Sequence, residues 1–133
     1  MAKRNMNLVR EMLLYLEENH PAGSTIIYGC TEFSEMLGEN SEFEGVDAGF
    51  VEYHVRMMAE QGLLQDIEWA MGRKFITSGI SFGGHEFLES TRDPAIWGQV
   101  QAAGKKAGGL TFDMVLTTGK GLLLAAAKKA AGL

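Results

Sequence analysis

Residues 53–64, YHVRMMAEQGLL, place a helix end, a stop and a strand start within one short stretch. Val51, Val55 and Met58 recur at i, i+4 and i+7, flanked by His54 and Met57. That spacing draws one apolar stripe along a helix predicted over about Asp47–Gln61. Asp47 stands at the N-cap, where its carboxylate accepts backbone N–H groups and suits the positive helix end. Gly62 stands at C′, where left-handed backbone costs glycine little, and Leu63 can fold back on the last turn. The next segment, LLQDIEWAMGRKFITSGISF, is β-rich at 64–69 and 74–80. The AMGR between them predicts a hairpin with Gly72 in its turn.

The flanking segments are mostly helical by the same criteria. Leu8, Val9, Met12, Leu13 and Leu16 share one face of a helix over about Asn5–Asn19. His20-Pro21-Ala22-Gly23 ends it. STIIYG at 24–29 is β-branched and reads as a short strand. TEFSEMLG at 31–38 reads as a turn or two of helix, with Thr31 as its cap and Gly38 as its end. ENSEFEG at 39–45 reads as a loop or a short edge strand, and the path of 24–46 is left open. After the hairpin, Ser81 caps FGGHEFLESTRD, with Phe87 and Leu88 inward and Pro94 as its stop. A helix is expected over Ile96–Ala103, followed by a flexible glycine–lysine joint. A last helix runs from a Thr111 cap through Lys129, with Phe112, Val115, Leu116, Leu122, Leu123 and Leu124 as its apolar surface. Gly119 and Gly121 weaken it by roughly 1 kcal/mol each relative to alanine if they are internal.

Helix, helix, helix, hairpin is the winged-helix order. YHVRMMAEQGLL looks like a recognition helix running into a wing strand. FITSGISFGGHEFLEST looks like the second wing strand entering a helix, with Ile80-Ser81 where such proteins often carry leucine-threonine. Together with RNMNLVREMLLYLEE, RDPAIWGQVQ and LTFDMVL, the chain resembles a small bacterial and prophage family, domain-of-unknown-function family 2513. The resemblance covers about 4–20, 43–100 and 110–116, and the segment 24–42 looks longer than in that family. It implies a winged-helix-like fold and residence in prophages, and brings no mechanism with it. The expected class is α+β, mostly α: a winged helix-turn-helix-like domain over 1–93 with a β-hairpin wing, and a C-terminal helical extension over 94–133.

Charge argues against the role that this fold most often plays. Net charge is −5, and residues 32–68 carry ten carboxylates against the single Arg56. The outward positions of the 47–61 helix are Ala48, Glu52, Arg56 and Glu60, with Tyr53 at the border. Affinity for DNA comes largely from lysine and arginine on phosphates, so this face would repel a duplex. Arg73 and Lys74 at the wing tip add two charges, too few for firm binding at physiological salt. The bland alternative is a solvated face.

Catalytic and metal signals are weak. GGHEFLE carries His85-Glu86, but Glu89 stands where a zinc-protease pattern needs a second histidine. A His85/Glu89 pair on a surface helix is the simpler reading. Cys30 with His54 or His85 would suit nucleophilic chemistry only if they converged. A histidine beside an apolar stripe is more often packed and hydrogen-bonded to backbone. TTGKG lacks the glycine spacing of a phosphate loop. No catalytic, cofactor or metal residue is assigned.

Cys30 is the only cysteine, so no intrachain disulfide can form, which fits a reducing cytosol. The apolar run GLLLAAA is too short to span a bilayer, and charges interrupt the N-terminal segment too early for a signal-peptide core. Trp69, Phe82, Trp97 and Phe112 are large for this chain, and the last helix is apolar over more of its circumference than one core needs. The expectation is a cytoplasmic protein that acts by protein–protein interaction, self-associates as a homodimer, and meets a host or phage protein. The alternative is a dimeric DNA-binding regulator. The candidate surface is Glu52, Tyr53, Arg56, Glu60, Arg73, Lys74 and Trp97.

Overall fold

Asn5 opens the first helix, its side-chain oxygen accepting the N–H groups of Asn7 and Leu8. The helix, α1, runs Met6–Asn19 and buries Leu8, Val9, Met12, Leu13 and Leu16, the stripe that the periodicity marks. The computed structural model describes residues 4–132 of the chain. Strand β1 follows at Ile26–Gly29 and passes straight into α2, Cys30–Leu37. Thr31 is therefore not the cap. The helix begins at Cys30, with Gly29 at the cap position and no side-chain cap. The Cys30 N–H instead donates to the Arg73 carbonyl at 2.9 Å, so a turn far along the chain supplies the acceptor that a cap would. A single 3₁₀ turn at Ser41–Phe43 replaces the expected loop or edge strand and buries Phe43.

Helix α3, Ala48–Glu60, keeps the predicted limits. Asp47 accepts the Phe50 N–H at 2.8 Å. At the other end Gly62 takes φ +71°, the Gly62 N–H reaches the Ala59 carbonyl at 3.0 Å, and the Leu63 N–H reaches Met58 at 2.9 Å. These are the paired hydrogen bonds of a Schellman stop, closed by buried Leu63 against the turn that carries buried Met58.

The hairpin forms with one register but in two ladders. Strand β2, Leu64–Gln65, pairs with β5, Gly79–Ile80. Strand β3, Glu68–Ala70, pairs with β4, Lys74–Thr77, placing Trp69 opposite Phe75. The break falls at Asp66, whose φ of +51° turns it out of the ladder. Thr77 Oγ1 then donates to the Gln65 carbonyl at 2.6 Å, satisfying the gap. Strand β1 adds to the far edge of β4, antiparallel, giving the sheet order β1–β4–β3. Helices α1 and α2 pack on α3, and α1 also packs on β5. The chain is thus α+β and mostly helical, as expected.

Helix α4, Phe82–Thr91, starts with the Ser81 hydroxyl accepting the Gly84 N–H at 3.0 Å. A Cβ on Gly84 would lie 2.3 Å from the Leu63 carbonyl oxygen, so the glycine pair lets this helix start close to the main chain. Main-chain contacts divide the molecule into two compact units, Met1–Gly84 and His85–Leu133, so the division falls within α4.

In the second unit Pro94 does not merely end a helix. It opens α5, Pro94–Ala107, behind an Asp93 cap, because the first turn needs no N–H from it. The flexible joint expected after Ala103 is helix through Ala107. Gly104 is buried, a Cβ there would meet Leu110 at 2.4 Å, and Gly108 closes the helix at φ +86°. Lys105 and Lys106 sit in the last turn, where cations suit the carbonyl end. Thr111 caps α6, Phe112–Ala130, through the Met114 N–H. Gly119 lies against α4: a Cβ there would stand 2.4 Å from the Ser90 carbonyl oxygen. Phe87 stacks on Phe112 with centroids 5.7 Å apart. Of its expected apolar surface Val115 is buried, Phe112, Leu116 and Leu122 are half-buried, and Leu123 and Leu124 are exposed.

Candidate functional site

Four of the residues that matter here meet where α3 passes the hairpin. Glu52 lies half-buried on the second turn of α3. Its Oε2 accepts from Nε of Arg56, one helical turn on, at 3.2 Å. Its Oε1 lies 3.8 Å from a guanidinium nitrogen of Arg73, in the turn between β3 and β4. One carboxylate therefore holds two guanidiniums from separate elements. Arg73 takes φ +56°, unusual for a side-chain-bearing residue, and Gly49 leaves room for its guanidinium, since a Cβ there would be 3.0 Å from it. The Arg56 guanidinium in turn sits 4.0 Å above the Trp69 ring on β3. A cation over an exposed aromatic face contributes about 0.5–1 kcal/mol.

Behind this layer is an aromatic series in the first unit. Trp69 lies against Phe75, Phe75 stacks with Tyr28 and Phe33, and Phe33 takes the edge of Tyr15. Alternation on β3 and β4 puts Trp69 and Phe75 on one face, and β1 contributes Tyr28 to it. The hairpin is thereby anchored from α1 across the sheet to Arg56.

Of the seven residues expected on one surface, Glu52, Arg56 and Arg73 come together. Tyr53 is exposed at the border and turns its ring edge to His54. Glu60 and Lys74 are exposed outside the ion-pair cluster. Trp97 is a correction. It is 5% exposed and lies with Val100 and Gly104 on the inward face of α5, so its size reflects core packing and not a contact surface. Trp69 was missed as a member of the site. Its signal was available: an aromatic on the strand that the helix-to-hairpin order brings beside α3.

His54 is fully buried. Its Nδ1 lies 2.9 Å from the Phe50 carbonyl and its Nε2 accepts the Asn5 N–H at 2.8 Å. A carbonyl only accepts, so Nδ1 carries the proton and the ring is neutral. Burial lowers its pKa, outweighing the Phe50 hydrogen bond. Cys30 is also fully buried, and burial first, then Glu52, pushes its thiol up to about 11. Both nitrogens of His54 are engaged by main chain, so it is not paired with the Cys30 thiol. His85 and Glu89 are both exposed on α4. Among the described residues, no group of three or more His, Cys, Asp or Glu is placed to hold a metal ion. No helix among them is long and apolar enough to cross a membrane.

Residues 3–110 match the profile of a family described as "Hypothetical protein (DUF2513)". An "Uncharacterized protein" of Haemophilus influenzae is 26% identical over 116 residues, spanning 85% of this chain and 88% of that one. No solved structure matches the chain.

Proposed function

We propose that this chain, which belongs to the DUF2513 family, is a cytoplasmic winged-helix-like accessory protein that binds another protein through its α3–hairpin face. The winged-helix reading is supported by the order helix, strand, helix, helix, hairpin, and by β1 pairing onto β4 of the hairpin. A phage or prophage setting, with a host or phage protein as partner, rests on the family resemblance.

The observation that carries the interaction reading is Glu52 holding both Arg56 and Arg73. A helix that reads DNA needs its cations available for phosphates and base edges. Here the two nearest the groove-facing position share one carboxylate, and Arg56 is also stacked on Trp69. What the face presents is a stiff, mixed-charge, aromatic patch, the composition that protein partners use. The reading assigns no catalytic or cofactor role to His54 or Cys30. A buried neutral imidazole bonded to main chain and a thiol with a raised pKa support that. Self-association is part of the proposal, supported by the uncovered leucines of α6.

The second reading, a dimeric DNA-binding regulator, draws on three exposed cations, Arg56 on α3 and Arg73 and Lys74 at the β3–β4 turn. A mobility-shift titration on random duplex separates the two. No retention at low salt is expected. Tight retention that weakens steeply with salt would overturn the interaction reading.

A further inference from the structure

Two clefts open side by side on the first unit, along α1 and α2. One, of about 270 Å³, is lined by Glu11, Tyr15, Glu18 and Met36 among others. Its neighbour, of about 240 Å³, is lined by Tyr15, Tyr28, Glu32, Phe33 and Met36. Tyr15 and Met36 form the wall they share. Neither cleft has a lysine, arginine or histidine in its lining. Glu11 is paired with Arg10 at 3.6 Å, so Glu18 and Glu32, both exposed, carry the unpaired negative charge. The surface is therefore aromatic on its floor and acidic on its rim. It suits an apolar segment that also carries cations.

The chain itself contains such a segment. In the second half of α6, Leu123 is 40% exposed and Leu124 57% exposed. Lys128 and Lys129 follow in the last turn. Leu124 and Lys128 stand one helical turn apart on one face. Lys120, by contrast, is committed to Glu86 at 3.6 Å.

We propose that the acidic aromatic groove along α1 and α2 receives the C-terminal half of α6 from a second copy of the chain. Leu124 enters the cleft beside Tyr28 and Phe33, and Lys128 and Lys129 face Glu18 and Glu32. The contact is reciprocal in a two-fold dimer, each copy offering one groove and one helix. It rests on the self-association reading and adds where the copies meet.

Light scattering behind size-exclusion, across a concentration series of the full chain, tests it. The wild type is expected to shift from monomer to dimer mass as concentration rises. Glu18→Lys with Glu32→Lys, or Lys128→Glu with Lys129→Glu, is expected to weaken dimerisation about tenfold or more, because like charges then face each other. All four substitutions on one chain restore it. A wild type that stays monomeric at about 1 mM, too weak for a specific interface, overturns self-association and this contact together. A dimer indifferent to both charge reversals, or not restored by their combination, overturns the contact and leaves self-association standing. Should a reversed variant lose its helical circular dichroism, Leu124→Gln probes the same contact without touching charge, and an unchanged dimer there also overturns it.

Discussion

The backbone N–H of Asn5 donates to Nε2 of His54 at 2.8 Å, joining the start of α1 to the middle of α3 across 49 residues. Asn5 is also the cap of α1, so one residue satisfies two helix N–H groups with its side chain and gives its own to the imidazole. The ring needs Nε2 bare to accept and Nδ1 protonated to serve Phe50. Only the neutral ring does both.

That requirement makes stability depend on pH. Burial lowers the folded-state pKa of His54 below its ordinary value. The unfolded chain therefore takes up the proton first as pH falls. The stabilisation is complete above about 6.5, the ordinary histidine value, and is lost as pH drops from there through the folded pKa. Urea midpoints at pH 7.5 and 5.0 should show the wild type weakening on acidification. In His54→Gln this histidine-linked part of the slope should disappear. His54→Ala should cost about 2–4 kcal/mol at pH 7.5, from the cavity and the orphaned Asn5 N–H.

Two glycines separate backbone strain from steric clash. Gly62 has φ +71°, and a Cβ there would meet nothing within 4 Å, so Gly62→Ala should cost only the left-handed backbone penalty, about 1 kcal/mol. Gly84 has helical backbone, where alanine would ordinarily gain about 1 kcal/mol. The Leu63 carbonyl oxygen, which would stand 2.3 Å from the new Cβ, reverses that sign, and Gly84→Ala should be destabilising by about 1–3 kcal/mol in urea melts.

Glu52→Gln removes the shared carboxylate from Arg56 and Arg73. Exposed ion pairs contribute little, so the urea midpoint should move by less than about 1 kcal/mol. The arginines become available, and weak retention of duplex DNA at low salt should appear in the variant where the wild type shows none. A variant that still ignores DNA would show that Glu52 is not what withholds the arginines.

The Cys30 thiol, pushed up to about 11 from 9.0, carries roughly a hundredfold less thiolate at pH 8 than an ordinary cysteine. Ellman's reagent should therefore label the native chain slowly and the urea-unfolded chain at once. Fast native labelling at pH 8 would contradict the buried placement.

The parts legible in the sequence are those with local causes. Asp47, Gly62 and Thr111 mark helix ends because a cap or a left-handed stop needs only its own few residues. The stripes of α1 and α3 are visible because burial on one face imposes a period of 3.6. Where local signals compete, the reading slips. Gly104 and Gly108 suggest a loose joint, yet Leu110 packing onto Gly104 carries α5 to Ala107.

Among the seven candidate surface residues, composition and spacing identify polar positions on α3 and the turn, but not which of them touch. Arg73 reaches Glu52 only because the hairpin folds back beside α3, and Arg56 finds Trp69 for the same reason. Trp97 is buried because α5 turns that face inward, a choice its periodicity allows but does not make. The sequence by itself determined where most helices and strands begin and end, and that the middle of the chain is acidic. The tertiary structure decided that β1 lies on β4, that His54 holds Asn5, and that Glu52 pairs with both arginines. Those pairings join residues far apart in the chain, and their stability comes from packing that no local propensity records.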